Sequence, residues 1–426
     1  MDTIVAQASA RGRAGVAVVR VSGPAAWRVC DRLAGVVPAP RVASLRRLRD
    51  AQGATLDQAL VLGFEAGRSF TGERVVEFHL HGSVAVVSAV LREILAVDGV
   101  RPAEPGEFTR RAFEAGRIDL TEVEGLGDLL EAETEAQRKH AQRIMDGSLG
   151  RLVADWRADL LQALAMSEAA IDFADEDLPP ETWHLMREPL DSVCSALARE
   201  VAGRRAAERV RDGFEVAIVG PVNAGKSTLL NALAGREAAI TSAREGTTRD
   251  VIEVRMEIGG LAVTLIDTAG LRDTEDEIEQ LGISRGVERA RGADLRVFLR
   301  ANPGDPVGEV GADDIVLLGK SDLWPEPGVS GKTGEGIDAL IEQIEERLSE
   351  RASSSSSFSR ERHFARLKQA LEHLERARQE AATEAAQLEI VSEEIRHAVF
   401  LLDELVGRIG VEDVLGRIFS SFCIGK

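Results

Sequence analysis

The residues Gly220-Pro-Val-Asn-Ala-Gly-Lys226-Ser227 follow the pattern G-x-x-x-x-G-K-[ST]. Glycines at both ends let successive backbone N–H groups curl around a polyphosphate. The lysine ammonium reaches the β and γ oxygens, and the serine hydroxyl is a ligand for Mg²⁺. A short apolar run, Phe214 to Gly220, precedes this loop, and Thr228-Leu-Leu-Asn-Ala-Leu233 follows it with the character of a helix. That strand–loop–helix order puts a helix N-terminus against the anion; a chance glycine-rich turn before a helix is the competing reading. Candidate nucleotide contacts here are Asn223, Ala224, Gly225, Lys226, Ser227 and Thr228.

A second constellation ends another apolar run: Val263-Thr-Leu-Ile-Asp267-Thr268-Ala269-Gly270. Asp267 can hold the metal's shell, and the Gly270 amide can sense a γ-phosphate. Between the two lies Gly246-Thr247-Thr248-Arg249-Asp250, in which Thr248 is the second hydroxyl for Mg²⁺. Two such motifs, in this order and each at a strand end, are not what core packing alone produces, so the segment reads as an NTPase switch domain. For the base, Gly319-Lys320-Ser321-Asp322 follows the strand Ile315 to Leu318, where the guanine-reading pattern is N-K-x-D. Asp322 can accept from guanine N1–H and its amino group, a donor pair that adenine lacks. Ser330-Gly331-Lys332 falls where a backbone amide meets guanine O6. Gly319 omits the Asn side chain, an expected loss of about 1–2 kcal/mol of affinity if one hydrogen bond and a brace go with it. GTP is the expected nucleotide; simple surface charge at Lys320 and Asp322 is the other reading. Leu271 stands where Ras-type proteins place a water-orienting Gln, so another group must position the nucleophile. Glu275, Asp276, Glu277 and Glu279 crowd the next segment, as a solvated helix start also would.

The elements that must hold these residues fall into three regimes. Residues 1 to about 118 mix β-branched runs (Val16 to Val21, Val75 to Leu80) with Gly and Pro breaks, an α+β pattern. From Leu120 the stripe Leu120, Val123, Leu126, Leu130 is helical, and Leu149 through Trp156, Leu160 and Leu164 to Ile171 predicts a second helix. Pro179 and Pro180 break the pattern before a third stretch to about Val210. Residues 214 to about 349 alternate strands with helices, as a mostly parallel sheet requires. The serine tract Ser353 to Ser357 predicts a flexible joint, after which Phe364, Leu367, Leu371, Leu374 and then Leu388, Ile395, Val399, Leu402 and Leu405 resume a helical stripe. Neither helical part can bury its face alone. The expected organisation is an α+β N-terminal domain (1–118), a split helical domain (119–212 and 353–426) and an inserted Ras-like P-loop α/β domain (213–352).

Composition bounds the rest. The 426 residues are 44% hydrophobic and carry a net charge of −19, against bulk-charge gripping of nucleic acid. Cys30, Cys194 and Cys423 are scattered, which gives no zinc or disulfide framework and fits a reducing cytoplasm. No run approaches the roughly 20 apolar residues of a membrane span.

At these motifs the chain resembles the MnmE (TrmE) family of tRNA modification GTPases. Asp2-Thr-Ile-Val-Ala-Gln7, Arg20-Val-Ser-Gly23, Ser69-Phe-Thr-Gly-Glu73 and Pro105-Gly-Glu-Phe108 resemble the family's N-terminal domain, and Leu415-Gly-Arg-Ile-Phe-Ser-Ser-Phe-Cys-Ile-Gly-Lys426 its C-terminal signature. The resemblance implies a potassium-activated GTPase whose G domains pair within a homodimer. It places K⁺ on Asn223, Ser242, Arg244 and Thr247, with Ala243 and Glu245 in the same nucleotide-contacting stretch, and it makes Glu279 the catalytic group that orients water. It further implies a 5-formyltetrahydrofolate site at Arg20, Glu77, Arg117 and Lys426. Departures are Pro221-Val222 for the family's Arg-Pro, the residues Ala243-Arg-Glu245, and Arg117 for Lys. Cys423 reads equally as a reactive thiol or a packing residue.

The implied role is modification of the wobble uridine of certain tRNAs at C5, in a heterotetramer with the flavoprotein MnmG, which would hold the FAD. A regulatory GTPase of the ribosome-assembly type, without one-carbon chemistry, is the alternative; it leaves the N-terminal domain and the tail unexplained.

Overall fold

The fold is described, from a computed structural model, for residues 2–172, 180–236, 253–267, 289, 291–306, 310–311, 313–383 and 387–410, and for 415, 418, 419, 422 and 425. The chain divides into two compact units. One comprises Met1–Gly127, Met145–Gly150 and Asp403–Lys426, and the other Asp128–Ile144 with Arg151–Leu402.

The first unit is built on a six-stranded sheet of β1 (Thr3–Gln7), β2 (Ala14–Ser22), β3 (Ser44–Arg49), β4 (Thr55–Phe64), β5 (Val75–Gly82) and β6 (Val100–Pro102), in the order β3-β4-β5-β2-β1-β6. Only the β1–β6 pair is parallel. The period of two decides what each face carries. Ala17, Val19 and Val21 of β2 and Val76, Phe78 and Leu80 of β5 are buried in one cluster with Val29 and Leu33 of helix Ala26–Ala34 and Val87, Val90 and Ile94 of helix Val84–Leu95. The intervening residues face the other way, so Arg20 of β2 stands opposite Glu77 of β5 in register.

The second unit holds a five-stranded sheet of β7 (Phe214–Val219), β8 (Glu253–Ile258), β9 (Leu261–Asp267), β10 (Leu295–Arg300) and β11 (Ile315–Leu318), ordered β11-β10-β7-β9-β8. All pairs are parallel except β8–β9. Strand β9, between β7 and β8 inside the sheet, is buried along its whole length, as its mostly apolar run anticipates. Helix Lys226–Ala234 contributes Leu229, Leu230 and Leu233 to the core, and helix Ile337–Ser353 contributes Leu340, Ile344 and Leu348.

The helical stripes appear where their period placed them: Leu120–Glu131, Ser148–Asp172, Pro180–Ala202, Arg204–Asp212, Glu361–Ala381 and Leu388–Val406. Pro180 begins a helix rather than only ending one, because a proline in the first turn has no N–H to waste. Helix Glu135–Met145 was not anticipated; its apolar residues are too few to make a stripe.

The serine tract is a correction. Ser356 Oγ and the Ser357 N–H both donate to Glu200 Oε2, at 2.5 and 2.7 Å, and the Ser356 N–H donates to the Gly203 carbonyl at 3.2 Å. The following Phe358 is fully buried, with its ring 6.0 Å from that of Trp156. Serine hydroxyls find local partners as readily as water, and here they anchor the exit from the α/β segment. Its entrance is held in a similar way: buried Asp294, just before β10, accepts from Arg209 Nε and from the Glu215 N–H, each at 2.9 Å.

His140, on helix Glu135–Met145, is buried. Its Nδ1 accepts from the Arg143 guanidinium at 3.2 Å, while its Nε2 meets no partner among the described residues. Burial, reinforced by Arg143, Arg211 and His363, pushes its pKa down from 6.5 to about 4. The folded protein therefore binds this proton less readily than the unfolded chain does. The stabilisation is complete above about pH 6.5 and is lost as pH falls towards 4, on the order of 3 kcal/mol in all. Denaturant titrations at pH 7.5, 6 and 5 should show the second unit weakening over this window, and His140→Gln should flatten the dependence.

Candidate functional site

Strand β7 delivers the chain into the loop that starts at Gly220, and helix Lys226–Ala234 carries it away, with Gly225 at the N-cap in the left-handed region. Lys226 is buried, and its Nζ donates to the carbonyls of Gly220 (2.7 Å) and Pro221 (2.9 Å), so the ammonium folds back into the loop it belongs to. Burial pulls its pKa below the ordinary lysine value, and the Asp267 charge opposes that shift. Ser227 Oγ donates to Asp267 Oδ2 at 2.7 Å. A hydroxyl from the first turn of the helix and a buried carboxylate from the end of β9 therefore converge, a donor set suited to a hard cation.

Beside this loop is a cavity of about 300 Å³, lined by Ala224, Gly225, Thr228, Lys320, Asp322, Ser330, Gly331 and Lys332, all expected from the sequence. Asp322 Oδ1 accepts from Ser330 Oγ at 2.6 Å, and Ser330 Oγ in turn accepts the N–H groups of Lys332 and Thr333, each at 3.3 Å. The serine fixes the orientation of the carboxylate. Leu229 and Gly319 line it too, and the apolar Leu299, Leu323 and Val329 complete the lining. These last three went unread in the sequence, because strand-end and loop apolar residues carry no pattern of their own.

Gly319 takes a different part from the deficit expected of it. A Cβ placed there would lie 2.1 Å from the Ala224 carbonyl oxygen and 3.3 Å from that of Arg300. The phosphate loop and the base-side loop meet backbone to backbone at this point, and no side chain fits between them. The same holds at Gly331, where a Cβ would come within 2.6 Å of the Thr228 and Leu229 backbone. Lys320 follows Gly319 in the left-handed conformation (φ 52°), with its aliphatic stem alongside Gly225.

A second cavity of about 320 Å³ lies in the N-terminal unit, and three of the residues singled out by resemblance, Arg20, Glu77 and Arg117, all line it. Arg20 Nε donates to Glu77 Oε1 at 2.8 Å and its Nη1 to the Gly425 carbonyl at 3.4 Å, and its guanidinium lies 5.6 Å from the Phe108 ring centroid. Gly425 thus reaches the same wall. Arg41, Phe64, Arg68, Ser69, Phe70, Thr71 and Val75 complete the lining. The motif Ser69-Phe-Thr-Gly-Glu73 flagged three of these; Arg41 gave no signal. Ser242, Ala243, Arg244, Glu245, Gly246, Thr247, Thr248, Thr268, Ala269, Gly270, Glu279 and Lys426 lie outside the described residues.

Residues 3–117 match the family profile described as GTP-binding protein TrmE N-terminus, and residues 120–423 match that of the MnmE helical domain. Curated proteins named tRNA modification GTPase MnmE from two strains of Cereibacter sphaeroides are 54% and 55% identical over 429 residues, covering 100% of each chain. The protein of that name from Roseobacter denitrificans is 53% identical over 428 residues, again with full coverage of both. Among solved structures, the G domain of the T. maritima FeoB iron transporter matches 32% of this chain and 98% of its own at 19% identity and a TM-score of 0.19, a score that carries no argument.

The Gly319–Ala224 approach has a measurable consequence. Gly319→Asn, which recreates the N-K-x-D pattern, should weaken guanine-nucleotide binding by roughly tenfold or more, since overpacking costs about 1–3 kcal/mol. Equilibrium titration with a fluorescent GDP analogue reads this directly, and tighter binding by the variant would contradict the contact.

Proposed function

The chain belongs to the MnmE family of tRNA modification GTPases, and from that premise we propose that it binds GTP in the cavity beside Lys226 and hydrolyses it in the service of tRNA modification. The observation that carries this reading is the contact of Ser227 with Asp267 at the start of helix Lys226–Ala234, next to Ala224, Gly225 and Thr228, which line one cavity with Asp322 and Ser330. The polyphosphate replaces the carbonyls of Gly220 and Pro221 as the partner of Lys226, and the first-turn amides of helix Lys226–Ala234 receive the anion. Asp322, held by Ser330, accepts from the guanine edge. Ser227 and Asp267 suit Mg²⁺, with Thr248 as its further hydroxyl; the ion when bound offsets phosphate charge.

The finer reading extends the resemblance. Asn223, one of three described non-glycine residues with positive φ, would hold K⁺ together with Ser242, Arg244 and Thr247. Glu279 would orient the attacking water, and pairing of two copies would complete the site. The N-terminal cavity would take a 5-formyltetrahydrofolate-type cofactor. Its lining suits that ligand: Glu77 accepts from an amino-substituted ring, and arginines meet carboxylates. With an MnmG flavoprotein carrying FAD, the one-carbon unit would be placed on C5 of the tRNA wobble uridine.

GTP turnover measured in potassium and in sodium at matched ionic strength tests the mechanism. A monovalent cation that neutralises transition-state charge should make the potassium rate at least about tenfold higher. Equal rates would remove the cation site. Glu279→Ala should retain GTP binding and lose turnover by about a hundredfold or more; unchanged turnover would remove Glu279 from the mechanism.

A further inference from the structure

The N-terminal cavity carries more positive charge than the chain around it balances. Four arginines line its wall: Arg20, Arg41, Arg68 and Arg117. Arg20 is answered by Glu77, the only carboxylate on that wall among the described residues, which also lies 3.5 Å from His79. Among the described residues, Arg41, Arg68 and Arg117 make no ion pair. Arg41 donates to the main-chain carbonyl of Arg68 at 2.9 Å, a bond that positions the guanidinium without neutralising it. All three are exposed at the rim rather than sunk in the floor. Guanidinium groups do not lose their proton in proteins. Three of them around one cavity repel each other until anions arrive, and each planar fork matches one carboxylate.

Backbone conformation points the same way. The described non-glycine residues with positive φ are Arg41 (60°), Asn223 (65°) and Lys320 (52°). The last two stand in the nucleotide site. Arg41, on the cavity wall, thus belongs to the sparsely populated backbone class that clusters at ligand sites.

The cavity's chemistry therefore has two parts: an aromatic side formed by Phe64 and Phe70, and a cationic rim. A folate with a single terminal glutamate brings two carboxylates, fewer than the three unanswered guanidiniums. Each further γ-linked glutamate adds one α-carboxylate along a flexible chain. Resting on the folate reading of this site, we propose that the cavity takes its cofactor as the poly-γ-glutamate, with Arg41 and Arg68 holding carboxylates beyond the first glutamate. Arg117 serves the first.

Calorimetric titration of the full chain with 5-formyltetrahydrofolate as the mono- and the tetraglutamate tests this. The tetraglutamate should bind roughly tenfold or more tightly, and the increment should shrink as salt rises. The R41Q/R68Q double variant should keep monoglutamate affinity within about twofold and lose the increment, with each single variant between the two. Equal affinities for the two ligands, or an increment that survives in the double variant, overturns the proposal. So does a double variant that keeps the increment but loses tRNA binding, which would assign the rim to phosphates. If neither folate binds, the folate reading itself fails and this inference falls with it.

Discussion

The nucleotide side of this protein depends on one close approach: the main chain at Gly319 lying against the Ala224 carbonyl. Everything else in the cavity is referred to that contact. It sets the distance between the loop that follows β7 and the loop that follows β11. It also brings the stem of Lys320 alongside Gly225 and brings Asp322 to the same opening as Thr228. Gly331 repeats the device from the other side against Thr228. Backbone in contact with backbone is stiff, so a pocket built this way is organised before a ligand enters, and less ordering remains to oppose binding.

A loop so arranged still has to be connected to the helices around it. The chain enters the sheet through helix Arg204–Asp212 and leaves it through the serines before helix Glu361–Ala381. Asp294 ties the entrance to the first residues of β7, and Glu200 ties the exit back to helix Pro180–Ala202. Asp294 and Ser356 are both buried, and the buried charge of Asp294 keeps its partners, which is what makes such contacts costly to break. A displacement of the sheet relative to these helices must therefore act through the pinned ends.

The N-terminal unit solves a different problem. Its sheet buries one face under two helices and leaves Arg20 and Glu77 on the other, where the alternation of the strands puts them side by side. The Arg20–Glu77 pair and the Gly425 carbonyl then fix one wall of a cavity whose rim remains cationic. In a chain of net charge −19, such a local excess of unpaired arginine is a specific feature and not a property of the whole.

Much of this was legible beforehand. The phosphate loop, the Asp267 strand end and the Lys320–Asp322 pair are short-range patterns, in which spacing along the chain fixes geometry, and the helical stripes follow from a period of 3.6. The structure decided what depends on segments far apart in sequence. Asp322 is oriented by Ser330, the serine tract is anchored through Glu200, and Arg41 joins Arg20 and Arg117 around one cavity. Gly319 is the sharpest case. Read along the chain it is a missing amide, and read in space it is the only residue that fits, because the atom excluding a side chain belongs to a loop almost a hundred residues earlier. The sequence by itself determined the family, the nucleotide motifs and the kinds of element that carry them; tertiary packing alone decided which side chains share a cavity, since no local pattern records an approach between distant backbones.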